Sequence, residues 1–118
     1  EEILVAIRIP NTFAGASFYF EKVADRNAWD FPLVNVAAAL VVKNGVIEQS
    51  RIACAGVSCT PRRLTAVEEI IKGKSPNEDI AKLAGASAPR GAKPLNFNQF
   101  KIPLMTGLVT RAVRGAKA

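Results

Sequence analysis

Histidine is missing from this 118-residue chain, and cysteine occurs only twice, as Cys54 and Cys59. A Ser-His-Asp or Cys-His apparatus needs an imidazole, so neither can be built here. A structural zinc site needs a full tetrahedral set of Cys or His, which the chain alone cannot supply. Two thiols are likewise too few to hold an iron-sulfur cluster. No apolar run approaches membrane-spanning length, and the first residues show no signal-peptide pattern. Long runs of like charge are missing too, so the net charge of +6 is dispersed and a solvated surface is expected. No Gly-rich phosphate loop appears. Gly73-Lys74-Ser75 lacks the earlier glycine of such a loop and follows a helical pattern, which reads as a helix stop and the next cap.

What remains is apolar and patterned. Hydrophobic residues make up 49% of the chain, enough for one globular domain over residues 1–118 with a real core. The 16 basic against 10 acidic side chains invite an acidic partner, a nucleic acid or an anionic surface. Phe18, Tyr19 and Phe20 would give a nucleic-acid binder a stacking platform. The basic residues do not interleave with them, however, and no nucleic-acid motif appears. A small basic nucleic-acid-binding module is therefore the alternative reading, beside a free-standing interaction module.

Local signals divide the chain into a strand half and a helix half. Ile3, Val5, Ile7 and Ile9 alternate with Leu4, Ala6 and Arg8, which predicts an opening strand over residues 2–10. Residues 11–16 read as loop and 17–23 as the next strand, rich in pleated-surface residues. Pro32 cannot donate to a ladder, so the following strand starts at or after it. Residues 33–42 are apolar almost throughout. Ala37-Ala38-Ala39 favours a helix there, but Asn44-Gly45 supplies a tight hairpin turn, and 46–57 reads as the returning strand. The small alanines would let a helix pack close to the sheet.

Beyond residue 64 the grammar is helical. Thr65-Ala66-Val67-Glu68 and Ser75-Pro76-Asn77-Glu78 are capping-box patterns, the second with Pro at the first helical position. Val67, Ile70 and Ile71 face inward in the first helix, and Ile80, Leu83 and Ala84 in the second. Gly73 and Pro89 end them. After an extended connector at 90–96, a third helix runs from about residue 102 to 114 with Leu104, Leu108 and Ala112 on one stripe. The predicted class is α+β, an antiparallel sheet of three to four strands followed by a three-helix bundle packed on one face.

Read as side chains alone, most candidate functional residues have plain roles. Lys22 is a strand-end lysine, and at least two of Phe18, Tyr19 and Phe20 are expected in the core, because alternate strand residues face opposite sides. Asp25, Arg26 and Asp30 form a charged cluster around Trp29, which is either the apolar lid of a turn or an interface anchor. Arg62 and Arg63 read as a solvated pair, or as a contact to a partner or a cofactor phosphate. Glu68-Glu69 and Glu78-Asp79 lie in first helical turns, where the helix dipole accounts for them. Cys54 belongs to a buried strand face and Cys59 to a loop.

The order of these features over residues 22–63, KVADRNAWDFPLVNVAAALVVKNGVIEQSRIACAGVSCTPRR, resembles a known family. It is similar to the C-terminal domain of the FAD-carrying subunit of molybdenum hydroxylases, the carbon monoxide dehydrogenase, xanthine dehydrogenase and aldehyde oxidoreductase enzymes. Residues 2–10 resemble the strand that opens this domain, and residues 52–63 the passage from a strand into Pro-Arg before the first helix. Residues 98–104 with Arg111-Ala112-Val113 resemble its closing helix. The spelling of 98–104 and 22–26 leans towards the aldehyde-oxidising branch.

The resemblance implies a part of an oxidoreductase with no catalytic residue and no metal ligand of its own. FAD is the implied cofactor, bound mainly by FAD-binding domains expected upstream of a chain that reads as a piece of a longer one. Partner subunits would carry the molybdopterin and the iron-sulfur clusters, with no nucleic acid and no membrane involved. The molybdopterin subunit would oxidise an aldehyde or N-heterocycle, and the electrons would pass through the iron-sulfur subunit to FAD and an acceptor. The cytoplasm is expected rather than the periplasm. Lys22 matches a lysine in the segment close to the flavin and to the pyridine-nucleotide approach of xanthine dehydrogenases. There an ammonium would stabilise negative charge on a reduced flavin or attract an anionic acceptor. Tyr19 and Phe20 are implied near the flavin edge with it. Glu21 stands where xanthine dehydrogenases carry an aromatic, and Arg26 and Asp30 match an ion pair that holds the turn.

Overall fold

Two strands rich in β-branched residues, joined by Asn44-Gly45, form the centre of the molecule. In the computed structural model, which describes residues 2–116, Val34–Lys43 (β2) and Val46–Ala55 (β3) pair antiparallel from Lys43↔Val46 to Asn35↔Ala55. Asn44 and Gly45 adopt φ of 51° and 76°, the left-handed pair whose twist matches that of the strands it joins. A register shift between Val41 and Val42 bends the hairpin. Ser17–Val23 (β1) pairs with the other side of β2, and Arg62–Arg63 (β4) with β3, so the sheet is a four-stranded meander in chain order.

Three helices follow: Thr65–Ile71 (α1), Glu78–Ser87 (α2) and Lys101–Arg114 (α3). The first packs against β3 and the third against β2 and β1, while α2 closes the bundle against both. Val34, Val36, Leu40, Ile47 and Ile52 of the sheet share one core with Val67, Ile71, Leu108, Val109 and Val113 of the helices. Each such side chain contributes about 1.5–3 kcal/mol relative to exposure. Among the described residues no helix is long and apolar enough to cross a membrane.

Several expectations are corrected. Residues 2–10 form no strand, since their backbone groups bond to no other described residue and a strand exists only against a neighbour. The fourth strand is β4, in a segment expected to be a helix approach. Of the three alanines only Ala38 lies under the helices, because Ala37 and Ala39 alternate onto the opposite face.

Neither capping box forms as spelled. Leu64 caps α1 without a side-chain bond. Asn77 caps α2 by accepting the Ile80 N–H at 2.9 Å, two residues beyond the expected Ser75. That bond contributes about 1 kcal/mol. Leu83 turns half outward, and the small residues Ala81, Ala84 and Gly85 make the buried side of α2 instead. Small residues are needed because α3 comes so close. A Cβ on Gly85 would stand 2.0 Å from Thr110 Oγ1 and 2.6 Å from the Thr106 carbonyl oxygen.

Glu68 has a larger task than capping. Its carboxylate, 7% exposed, accepts the Ile52 N–H of β3 at 2.9 Å and a fork from Arg63, with Nη2 at 2.6 Å and Nε at 3.0 Å from its two oxygens. Arg51 adds a second guanidinium at 3.7 Å. Burial alone would raise this carboxyl, but the Arg63 fork, the Ile52 N–H and the two positive charges outweigh it and hold the group below the ordinary 4.5.

Two measurements follow from this packing. Gly85→Ala lowers the unfolding free energy by about 2–3 kcal/mol in denaturant titration. Adding Thr110→Ala restores only part of it, because the Thr106 carbonyl still obstructs the new methyl. For Glu68 the folded group binds its proton less readily than the unfolded one, so its stabilisation is present above pH 4.5 and is lost as pH falls through the lowered value. Melting temperature stays level from neutral pH down to about 5 and then falls. Glu68→Gln melts lower at neutral pH and shows a shallower acid slope.

Candidate functional site

Strand alternation leaves a second face of the sheet that no helix covers. The register sets its side chains in rows across the strands: Phe18–Ala39–Arg51, then Phe20–Ala37–Ala53–Arg63, then Lys22–Asn35–Ala55. Alanines make the floor, the two phenylalanines one wall and the two arginines the other, enclosing a shallow trough of about 690 Å³. Phe18 and Phe20 are 71% and 67% exposed. The expectation that two of the three adjacent aromatics are core therefore fails, and only Tyr19 turns inward.

The arginine wall is fixed in place. Arg63 is held by its fork to Glu68, while the Arg51 guanidinium lies 5.6 Å from the centre of the Phe13 ring and within ion-pair distance of the same carboxylate. Two guanidinium groups on one carboxylate leave the wall with net positive charge.

Lys22 and Phe20 share the open face, two residues apart on β1. The Lys22 ammonium donates to the Asp30 carbonyl at 2.5 Å, which ties the strand end to the β1–β2 connection. Within that connection the Arg26 N–H donates to Asp30 Oδ2 at 2.9 Å and Arg26 Nη2 to the Trp29 carbonyl at 3.1 Å, beside an ion pair at 3.7 Å. The reading of Arg26 and Asp30 as the pair that holds the turn is thus met by the geometry. Trp29, at φ 53° and 98% exposed, is no lid: the turn displays it to solvent.

Tyr19 is separated from the other two by the sheet itself. Its hydroxyl donates to the Glu21 carboxylate, which also takes a fork from Arg111 of α3 at 2.9 and 2.8 Å. The Arg111 guanidinium, then the Tyr19 hydroxyl, hold the Glu21 carboxyl below its ordinary range, and the same contacts push the Arg111 pKa up. This clasp joins β1 to α3. It and the Glu68 cluster are polar groups that the spelling of the chain did not reveal. Glu21 looked like a departure from an aromatic pattern, and Glu68 like a cap.

The remaining candidates lie apart. Cys54 is buried beneath the bundle, where burial pushes its thiol up to about 11, and Cys59 is exposed on a loop. Among the described residues no group of His, Cys, Asp or Glu could hold a metal ion. Arg62 and Arg63 are both exposed, and Arg63 is engaged in the Glu68 fork.

Known proteins share this fold. The chain is similar to the glyceraldehyde dehydrogenase medium chain of Sulfolobus acidocaldarius, 35% identical over 81 residues that make up 69% of this chain and 28% of that protein. Among solved structures, quinoline 2-oxidoreductase of Pseudomonas putida 86 superposes with a TM-score of 0.78 at 24% identity, over 86% of this chain and 37% of that one. Carbon monoxide dehydrogenase of Hydrogenophaga pseudoflava does so with a TM-score of 0.79 at 23% identity, over 87% and 37%. These superpositions establish the fold, and the chain spans well under half the length of each relative. The sequence match to the CO dehydrogenase flavoprotein C-terminal domain family runs over residues 19–116, and it takes in all of β1 but Ser17 and Phe18, the other three strands, all three helices and the arginine wall of the trough. The chain belongs to that family.

Proposed function

We propose that this domain forms one wall of a flavin site in the FAD subunit of a molybdenum hydroxylase, an oxidoreductase acting on an aldehyde or N-heterocycle. The observation that carries the proposal is the asymmetry of the sheet. One face is sealed by helices, while the other presents Phe18, Phe20 and Lys22 over an alanine floor that none of the described helices covers. The likeness to a glyceraldehyde dehydrogenase medium chain favours an aldehyde as the substrate of the molybdopterin subunit.

The residues suit covering a flavin rather than holding one. A flat ring can lie against Ala37, Ala39 and Ala53 with Phe20 at its edge, which excludes water from one side. The phosphates have no cradle here, because Arg51 and Arg63 are already engaged by Glu68 and the chain has no Gly-rich loop. FAD-binding domains preceding this one in the full subunit would hold them. FAD, when bound, supplies the electron transfer between an iron-sulfur partner and an acceptor. For its part Lys22, steadied by the Asp30 carbonyl, keeps a positive charge at the rim of the trough. Tyr19, Glu21 and Arg111 hold β1 from behind. No side chain on the open face acts as a general acid or base.

A second reading draws on the same exposure: Phe18 and Phe20 between Lys22 and the arginine wall would also stack single-stranded nucleic acid. Binding of that kind weakens steeply with salt. Retention of the purified protein on single-stranded DNA that is weak at low salt and insensitive to added salt counts against it.

The flavin reading is tested on the full-length subunit purified with its partners, comparing wild type with Lys22→Ala. Both retain the flavin absorbance, and reoxidation by the acceptor slows about tenfold in the variant, equivalent to about 1.4 kcal/mol. A full-length subunit without flavin overturns the proposal. Unchanged reoxidation removes Lys22 from the site and leaves the covering role.

A further inference from the structure

Most arginines of this domain are tied to a carboxylate: Arg26, Arg51, Arg63, Arg111 and Arg114 each have one within ion-pair distance. Arg8 precedes the folded elements. That leaves Arg62 and Arg90, which have no ion pair among the described residues, and both line one cavity of about 360 Å³.

The fold brings the two together from separate segments. Alternation along β4 divides its arginines: Arg63, opposite Ala53, joins the open face, and Arg62, opposite Cys54, turns to the side of the helices. Arg90 reaches the same cavity from the turn after α2. There its N–H donates to the Ser87 carbonyl at 3.2 Å, the Ala92 N–H donates to the Pro89 carbonyl at 2.8 Å, and Gly91 takes a φ of 78°. Both backbones are therefore fixed while both guanidinium groups stay uncommitted. No Asp or Glu lines the cavity. Arg63 lines it as well, but Glu68 meets its charge. Val57, Leu64, Val67, Ala88 and Met105 supply an apolar floor, and the Thr65 and Ser87 hydroxyls add polar groups that bond to no other described residue.

Such a cavity calls for a ligand with a strongly anionic head and a short apolar body. Guanidinium pairs with carboxylate and phosphate alike through parallel N–H donors. A carboxylate offers one charge and two oxygens, which one arginine satisfies. A phosphate monoester offers about −1.5 to −2 and three oxygens, enough for two arginines and a hydroxyl. The volume falls at the lower end of the range of about 300–1,000 Å³ found for small-molecule sites. We propose that this cavity binds a small phosphate monoester with an apolar body. Arg62 and Arg90 clasp the phosphate, Thr65 and Ser87 donate to its remaining oxygen, and the body lies on Val67, Ala88 and Met105. The site is on the helix side of β4, apart from the alanine trough, so its ligand is a second one beside the flavin.

Isothermal titration calorimetry on the full-length subunit, purified with its partners, tests this with phenyl phosphate, inorganic phosphate and benzoate. Phenyl phosphate binds once per subunit, at least about tenfold more tightly than inorganic phosphate, because its ring reaches the apolar floor. Benzoate, with the same ring and a single charge, binds at least about tenfold more weakly than phenyl phosphate. Arg62→Ala and Arg90→Ala each weaken phenyl phosphate about tenfold or more, since each removes a charge-assisted pair. Lys72→Ala, at an exposed cation outside the cavity, leaves binding unchanged. Equal affinity in wild type and the double arginine variant overturns the proposal, as does an equal loss in Lys72→Ala, which reduces the effect to net charge. Benzoate binding as tightly as phenyl phosphate overturns the choice of phosphate. Release of FAD by phenyl phosphate assigns the anion to the flavin's own phosphate site. Binding by the isolated subunit that is lost on assembly assigns the cavity to a subunit contact, and either result overturns the proposal.

Discussion

β4 pairs with β3 over two residues, and the next donor along β3, the Ile52 N–H, would be left unpaired if the Glu68 carboxylate did not accept it. The chain has already turned away at Leu64, whose own N–H bonds to the Ile52 carbonyl, so a side chain continues what the backbone cannot. An orphaned buried donor costs about 1–3 kcal/mol, and a buried carboxylate without partners costs more. Here each solves the other's problem, and Arg63 neutralises the result. The same contact positions α1, whose seven residues are too few to be stable alone. It also sets the arginine wall of the trough, since both guanidinium groups orient on this one carboxylate. Sheet edge, first helix and candidate site all depend on it.

The two faces of the sheet follow different chemical rules. Towards the helices, large aliphatic side chains interlock, and the one polar cluster on β1 is tied off by Arg111. Away from them, alanines keep the floor flat, and the large residues stand at the sides. A face meant only for water would carry charged and hydroxyl groups between its strands, whereas this one carries Ala37, Ala39 and Ala53. Such a surface suits close approach by something broad and flat, or by another domain.

Much of this was legible in the chain, for reasons that can be named. The β2–β3 hairpin followed from Asn44-Gly45, because so few residues tolerate that backbone. The helices followed from their apolar spacing. Two kinds of feature were hidden. One was any contact between residues distant in sequence: Glu21 with Arg111, and Glu68 with Ile52, have no local signature. The other was the side on which small residues serve. Ala37 to Ala39 promised a close helix but mostly floor the open face, while the close helix contact was made by Gly85. Of the site residues, Phe20 and Lys22 stand together as β1 alternation requires, and the same alternation sends Tyr19 to the other side. The outward aromatics were misjudged because burial was assumed for a sheet whose second face none of the described helices covers.

The Arg111–Glu21 clasp has a consequence for how the protein comes into being. Every pairing within the sheet joins neighbours along the chain, so the meander can assemble progressively during synthesis. The clasp spans 90 residues, and α3 supplies much of the cover over β2. Until α3 has left the ribosome, the inner side of the sheet has incomplete shelter, and both its faces offer apolar surface to neighbouring nascent chains. The interval between completing the sheet and docking α3 is therefore the period of greatest exposure to aggregation, and the one in which a chaperone would have most to hold.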